Sequence, residues 1–142
     1  MAKARVAQPL PVAVVDDDSG VRNAVRNLLS SAKIPSRGFR AAESFLEASR
    51  RRRFACLVTD VDLPGMSGVA LHEHLQRSGI AIPTILLTAH EDVRECAPRR
   101  GARWVIVKVL RKPFRDGEFL RAVRSALRRS HRLGAPIGRR SR

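Results

Sequence analysis

The chain has 142 residues, 44% of them apolar, and its 28 Lys/Arg outnumber its 13 Asp/Glu to give a formal net charge of +15. That length suits one soluble domain, and no apolar run approaches the ~20 residues of a membrane-spanning helix, which excludes an integral protein of that kind. Cys56 and Cys96 lie forty residues apart with no CxxC or Cys/His spacing, so neither a metal finger nor a disulfide framework is expected.

The N-terminal stretch MAKARVAQPLPVAVV places basic residues before an apolar segment, but that segment is broken by Pro and runs straight into acids. No secretion signal is expected there, and a cytoplasmic location follows as an expectation. Residues 1–9 read as an N-terminal extension. The run LPVAVV (10–15) reads as a strand. Val21, Val25, Leu28 and Leu29 then recur at helical spacing, with Ser19 as the expected N-cap. A weak strand is predicted at 36–39 and a helix at 42–50. FACLVTD (54–60) is apolar enough for a strand covered on both faces. Pro64 and Gly65 mark a turn, a helix runs from about Ser67 to Arg77, and IPTILLT (82–88) gives a further strand. A broken helical stretch (91–99), a strand WVIVKVL (104–110) and a helix (116–129) with Phe119, Leu120, Val123, Ala126 and Leu127 on one face complete the domain. Residues 130–142 read as a basic, disordered tail.

Five strands alternating with five helices require parallel pairing, hence an α/β fold with a doubly wound five-stranded parallel sheet. Ligands of such sheets bind beyond the C-terminal strand ends. Asp16, Asp17 and Asp18 follow the first strand, Asp60 ends the third, Thr88 ends the fourth, and the fifth runs toward Lys112. Clustered carboxylates repel unless a cation sits among them, and an all-oxygen site of few carboxylates suits Mg²⁺. A hydroxyl and an ammonium beside a metal-bound carboxylate would stabilise the oxygens of a phosphoryl group.

VVDDD, LVTDVDLPGMSG, ILLTAH and RKPF, in this order and at these strand ends, resemble the receiver domain of bacterial two-component response regulators. The resemblance covers roughly residues 10–128, and the domain is placed at 10–129. DLPGMSG and LTAH are most similar to receivers fused to a helix-turn-helix output, for which this chain has no room, so a stand-alone domain is expected. The family implies a flavodoxin-like (βα)5 architecture and assigns roles. Asp60 accepts the phosphoryl group from a histidine kinase or phosphotransfer protein; Asp17 ligates Mg²⁺, Asp16 assists through water, and the backbone carbonyl of Asp62 completes the set. Thr88 hydrogen-bonds the phosphoryl oxygen, Lys112 pairs with it, Ala89 leaves its path open, and Pro64 and Gly65 shape the adjoining loop. His90 sits where the family sets the lifetime of the phosphoryl group. The expected function is that of a phosphoacceptor with self-catalysed transfer and dephosphorylation, not an enzyme on a separate substrate, signalling to a downstream protein with no membrane partner.

Other residues have plainer readings. Asp18 faces solvent or supports a helix N-terminus, His72 and His74 are ordinary helix residues, and RRRR (50–53) is a solvated helix end. The chain departs from the family between Asp92 and Lys112: Pro98 falls inside an expected helix, and Val109 replaces the usual aromatic three residues before the site lysine. Two lysines compete for that role. Spacing from Gly101 selects Lys108, whereas the following Pro-Phe selects Lys112; Lys108 would point into a packed layer, so Lys112 is preferred and the extra residues are placed before Val109. Residues 1–93 carry 12 Lys/Arg against 10 Asp/Glu and residues 94–142 carry 16 against 3. An alternative reading follows: a degenerate receiver that binds nucleic acid or an acidic partner through its basic C-terminal half.

Overall fold

The computed structural model describes residues 9–89 and 106–133. In chain order these form β1 (Val12–Val15), α1 (Ser19–Ser31), β2 (Ser36–Phe39), α2 (Ala42–Ser49), β3 (Cys56–Asp60), α3 (Gly68–Arg77), β4 (Thr84–Thr88), β5 (Ile106–Arg111) and α4 (Asp116–Leu133). The strands make one sheet in the order β2-β1-β3-β4-β5, every neighbouring pair parallel. The doubly wound α/β reading therefore holds. The helix expected at 91–99 lies outside the described residues.

Because consecutive strand residues point to opposite faces, a strand covered on both sides must be apolar throughout. β1 meets that condition at every position. Val12 and Val14 pack with Val25 and Leu29 of α1 and with Phe119 and Val123 of α4. Ala13 and Val15 pack with Phe45 of α2 and with Leu71 and Leu75 of α3. Among the described residues, two helices thus cover each face. Each of the Val, Leu and Phe side chains contributes about 1.5–3 kcal/mol by leaving water, and the two layers fix where the C-terminal strand ends lie.

Several boundaries differ from expectation for identifiable reasons. Asp18, not Ser19, caps α1: its carboxylate accepts the backbone N–H of Gly20 at 2.8 Å and of Val21 at 3.2 Å. A carboxylate reaching these donors also complements the helix dipole, which a hydroxyl does not. β4 begins at Thr84 rather than residue 82, since Pro83 has no N–H to give to a ladder. α4 continues to Leu133, four residues past its expected end, so the first residues assigned to a tail are helical. β5 pairs as Thr84↔Ile106 and then Ile85↔Lys108, skipping Val107. This bulge absorbs one extra residue before Val109.

The reading of Lys108 is corrected. β5 is an edge strand, and Lys108 is exposed on it instead of pointing into a packed layer. Alternation puts Lys108 on the α4 side, the side of Leu110, where it lines a shallow hollow with Glu118, Arg121, Ala122 and Ser125. Among the described residues no helix is long and apolar enough to cross a membrane.

Candidate functional site

The C-terminal end of β1 carries the first acids. Asp16 is buried at 2% exposure. Its N–H donates to the Phe39 carbonyl of β2 at 3.0 Å, and its own carbonyl accepts from Arg22 Nη1 at 2.7 Å. Its Oδ1 accepts the Asp18 N–H at 3.0 Å. The other oxygen, Oδ2, is buried with no hydrogen bond. Asp17 is exposed, whereas Asp18 is committed to capping.

One strand over, Asp60 ends β3 at 7% exposure. Its Oδ1 accepts the Asp62 N–H at 3.2 Å. Gly68 opens α3 directly against this strand end and donates its N–H to the Val61 carbonyl at 2.9 Å. A Cβ at Gly68 would collide with the Asp60 carbonyl, so the residue is small because the helix must start there. Gly65, at φ +81°, turns the intervening loop in the left-handed region.

From the far side comes Lys112. The Thr88 carbonyl accepts the Lys112 N–H at 2.7 Å, which ties the end of β5 to the end of β4. The Lys112–Pro113 peptide is cis. The ammonium stands 3.4 Å from Asp60 Oδ2 and 3.6 Å from Asp16 Oδ2, within ion-pair reach of both. Thr88 is fully buried at the end of β4.

These distances fix the electrostatics. Asp16, Asp17 and Asp60 each present a carboxylate oxygen, and the three oxygens lie within 4.8 Å of one another. Burial raises the pKa of Asp60 above the ordinary carboxylate value and the Asp16 charge raises it further, against the lowering effects of the Lys112 charge and the Asp62 N–H. Three carboxylates face one ammonium, and the Asp16 Oδ2 atom has no hydrogen bond. A hard divalent cation satisfies both conditions, so the residues present fit Mg²⁺.

Of the residues expected at the site, Asp16, Asp17, Asp60 and Lys112 come together, and Thr88 lies at the adjoining strand end. The Asp62 side chain is exposed and outside the carboxylate cluster; its expected contribution was through its backbone. Ala89 is exposed beside Thr88, and His90 lies outside the described residues. Lys108 is directed to the α4 side and takes no part.

Sequence reading missed three residues. Arg22 clamps the Asp16 carbonyl, and its place one turn into α1 was the available signal. Gly68 was visible only as part of a motif. His72, taken as an ordinary helix residue, is buried at 1% exposure and pairs through Nδ1 with Thr84 Oγ1 at 3.0 Å. The Thr84 hydroxyl already donates to the Ile82 carbonyl at 2.9 Å. His72 Nδ1 must therefore carry the proton and donate. Burial lowers its pKa to about 4, so the ring is neutral.

A model of the response regulator receiver domain matches residues 12–124. The chain is 37% identical over 129 residues to the transcriptional regulatory protein FixJ of Azorhizobium caulinodans, covering 89% of this chain and 59% of that protein. It is 37% identical over 121 residues to nodulation protein W of Bradyrhizobium diazoefficiens, covering 85% and 52%. The chain thus spans little more than half the length of these relatives. Among solved structures, the signal receiver domain of an HD domain-containing protein from Pseudomonas fluorescens Pf-5 superposes with a TM-score of 0.79 at 26% identity, covering 94% of this chain and 97% of that one.

Proposed function

The chain belongs to the response regulator receiver family, a family of two-component phosphoacceptors, and on that premise we propose that Asp60 is its phosphoryl-accepting residue. The observation that carries this reading is the convergence of Asp16, Asp17, Asp60 and Lys112 at one end of the sheet. Receivers of this family take their phosphoryl group from histidine kinases, so the donor is a phosphohistidine on a kinase or phosphotransfer protein.

In the proposed transfer, an Asp60 carboxylate oxygen attacks phosphorus in line; the new O–P bond forms as the N–P bond to the donor imidazole breaks, and the imidazole leaves with the electron pair. Asp60 is nucleophilic only when ionised, and the Lys112 ammonium at 3.4 Å favours that form against the cost of burial. The same ammonium stabilises negative charge on the transferred group, and the Thr88 hydroxyl donates to one of its oxygens. Asp17 and Asp60, with Asp16 through water and the Asp62 carbonyl, would hold Mg²⁺, which when bound neutralises charge on the phosphoryl oxygens. Arg22 keeps the Asp16 backbone in place beneath this set. Water later hydrolyses the acyl phosphate, so the chain is a phosphoacceptor that turns itself over and acts on no separate substrate. Its phosphorylated state is passed on through contacts with another protein.

Incubation with Mg²⁺ and a small acyl phosphate or phosphoramidate, followed by intact mass measurement, tests the reading. The wild type gains one base-labile phosphoryl group, the gain disappears when a chelator is added first, and Asp60→Asn gains none. Undiminished labelling of Asp60→Asn would remove Asp60 from the role.

A further inference from the structure

The basic excess of the C-terminal half has a definite place in the fold. α4 buries Phe119, Ala122, Val123 and Ala126 against the sheet and turns its opposite side to solvent. On that side stand Arg121, Arg124 and Arg128, all exposed. At about 100° per residue the three fall within an arc of roughly 60°, and at about 1.5 Å rise they form a line about 10 Å long. Gly117 lies on the same line and adds no side chain to it. The acids of α4, Asp116 and Glu118, sit in its first turn, off the line.

Four arginines elsewhere in the chain are engaged by neighbours. Arg22 donates to the Asp16 carbonyl, Arg26 to Ser36, and Arg50 and Arg51 lie against Glu47. Among the described residues, Arg121, Arg124 and Arg128 make no ion pair or hydrogen bond. The neighbouring edge strand adds Lys108, exposed on the same side and sharing with Arg121 a hollow that Glu118 also lines.

We propose that this face of α4, with Lys108 beside it, binds the phosphate backbone of a nucleic acid without reading its sequence. Guanidinium forks match phosphate oxygens in pairs. Duplex DNA presents one charge per about 1.7 Å of axis, so a 10 Å line meets several phosphates at once. A protein partner fits the face less well, because stable protein interfaces need an apolar centre. The one large exposed hydrophobic among the described residues is Ile80, which follows α3 on the opposite face of the sheet. An anionic membrane fits less well too: the apolar residues nearest the line, Leu120 and Leu127, pack against the core and leave nothing to enter a bilayer.

The test is a titration of the full chain against a fluorescently labelled mixed-sequence duplex of about 20 base pairs at several salt concentrations. Each neutralised phosphate contributes about 0.9 to the slope of log affinity on log salt, so combined Arg121→Gln, Arg124→Gln and Arg128→Gln should lower the slope by about 2.7. Between about 50 and 200 mM salt, that removes roughly 40-fold of the wild-type loss of affinity. Gln has nearly the helix propensity of Arg, so the variant keeps its helix, and circular dichroism checks this. Arg50→Gln, Arg51→Gln and Arg52→Gln together remove the same charge elsewhere and should leave the slope nearly unchanged. Equal losses in the two triple variants would show a diffuse charge effect and overturn the assignment to α4. So would an absence of binding to the duplex at the lowest salt, or stripe-dependent binding to vesicles containing phosphatidylserine with none to the duplex.

Discussion

The acid cluster at the strand ends and the arginine face of α4 hold opposite charge under opposite conditions. Asp16 and Asp60 are buried, and each of their carboxylate oxygens has a named neighbour. Arg121, Arg124 and Arg128 are exposed and free of partners among the described residues. Buried charge is expensive unless it is compensated, so its geometry is specific and a single substitution has a large consequence. Exposed charge is inexpensive, screened by salt and nearly silent in stability. The buried acids therefore constrain function by position, and the arginines only by what they bind.

The sharpest test of that contrast uses two neighbouring acids. At Mg²⁺ about 100 times its Kd, linkage adds about 2.7 kcal/mol to the unfolding free energy. Asp17→Ala should lose most of that increment, because Asp17 belongs to the carboxylate cluster. Asp18→Ala should keep the increment while losing about 1 kcal/mol without metal, the usual cost of removing an N-cap. Urea unfolding with and without Mg²⁺ separates the two. Equal loss of the Mg²⁺ increment in both variants would merge the cap with the cluster.

Two lysines on β5 and its end extend the comparison. The increase in stability that phosphorylation confers should fall by roughly 1.5–3 kcal/mol in Lys112→Ala, the worth of a charge-assisted hydrogen bond. Lys108→Ala should leave it intact and change stability by less than about 0.5 kcal/mol, as exposed substitutions do. A larger effect from Lys108 would transfer the site role to it.

His72 supplies a buried group of the opposite kind, kept neutral. Its pKa is about 4 in the folded protein against 6.5 for an unperturbed histidine. Between those values the unfolded chain binds more protons, so stability falls as pH drops, at up to about 1.4 kcal/mol per pH unit; above about 6.5 the contribution is constant. The difference in unfolding free energy between wild type and His72→Gln should shrink from about pH 6.5 down to about pH 4. A constant difference would mean that the ring is not held neutral. Smallest of all, Arg124→Gln alone should shift stability by less than about 0.5 kcal/mol.

The sequence made the centre of this molecule far more legible than its edge. β1, β3 and β4 are largely apolar because both faces of the sheet are covered; β3 and β4 end in a polar residue at the site edge, and Asp16 follows β1 directly. Strand ends and site acids could therefore be read together. Lys108 was misread because the local pattern VIVKVL looks central, whereas strand order, which makes β5 an edge, is a property of the whole chain. Asp18 and Ser19 were confused because both are good caps and only the local backbone selects between them. His72 gave no signal at all: its burial depends on α3 packing against β4, and its partner Thr84 lies twelve residues away. Gly68 is legible only once a helix is known to begin against the end of a strand.

The central claim is that phosphorylation occurs on the buried acid at the end of β3. Borohydride reduction of the freshly phosphorylated protein converts an aspartyl phosphate into a reduced residue that peptide mass spectrometry can locate. The account predicts the reduction mark at Asp60 alone. A mark at Asp16, Asp17, Asp18 or Asp62, or a phosphoryl group that borohydride leaves untouched, would contradict it.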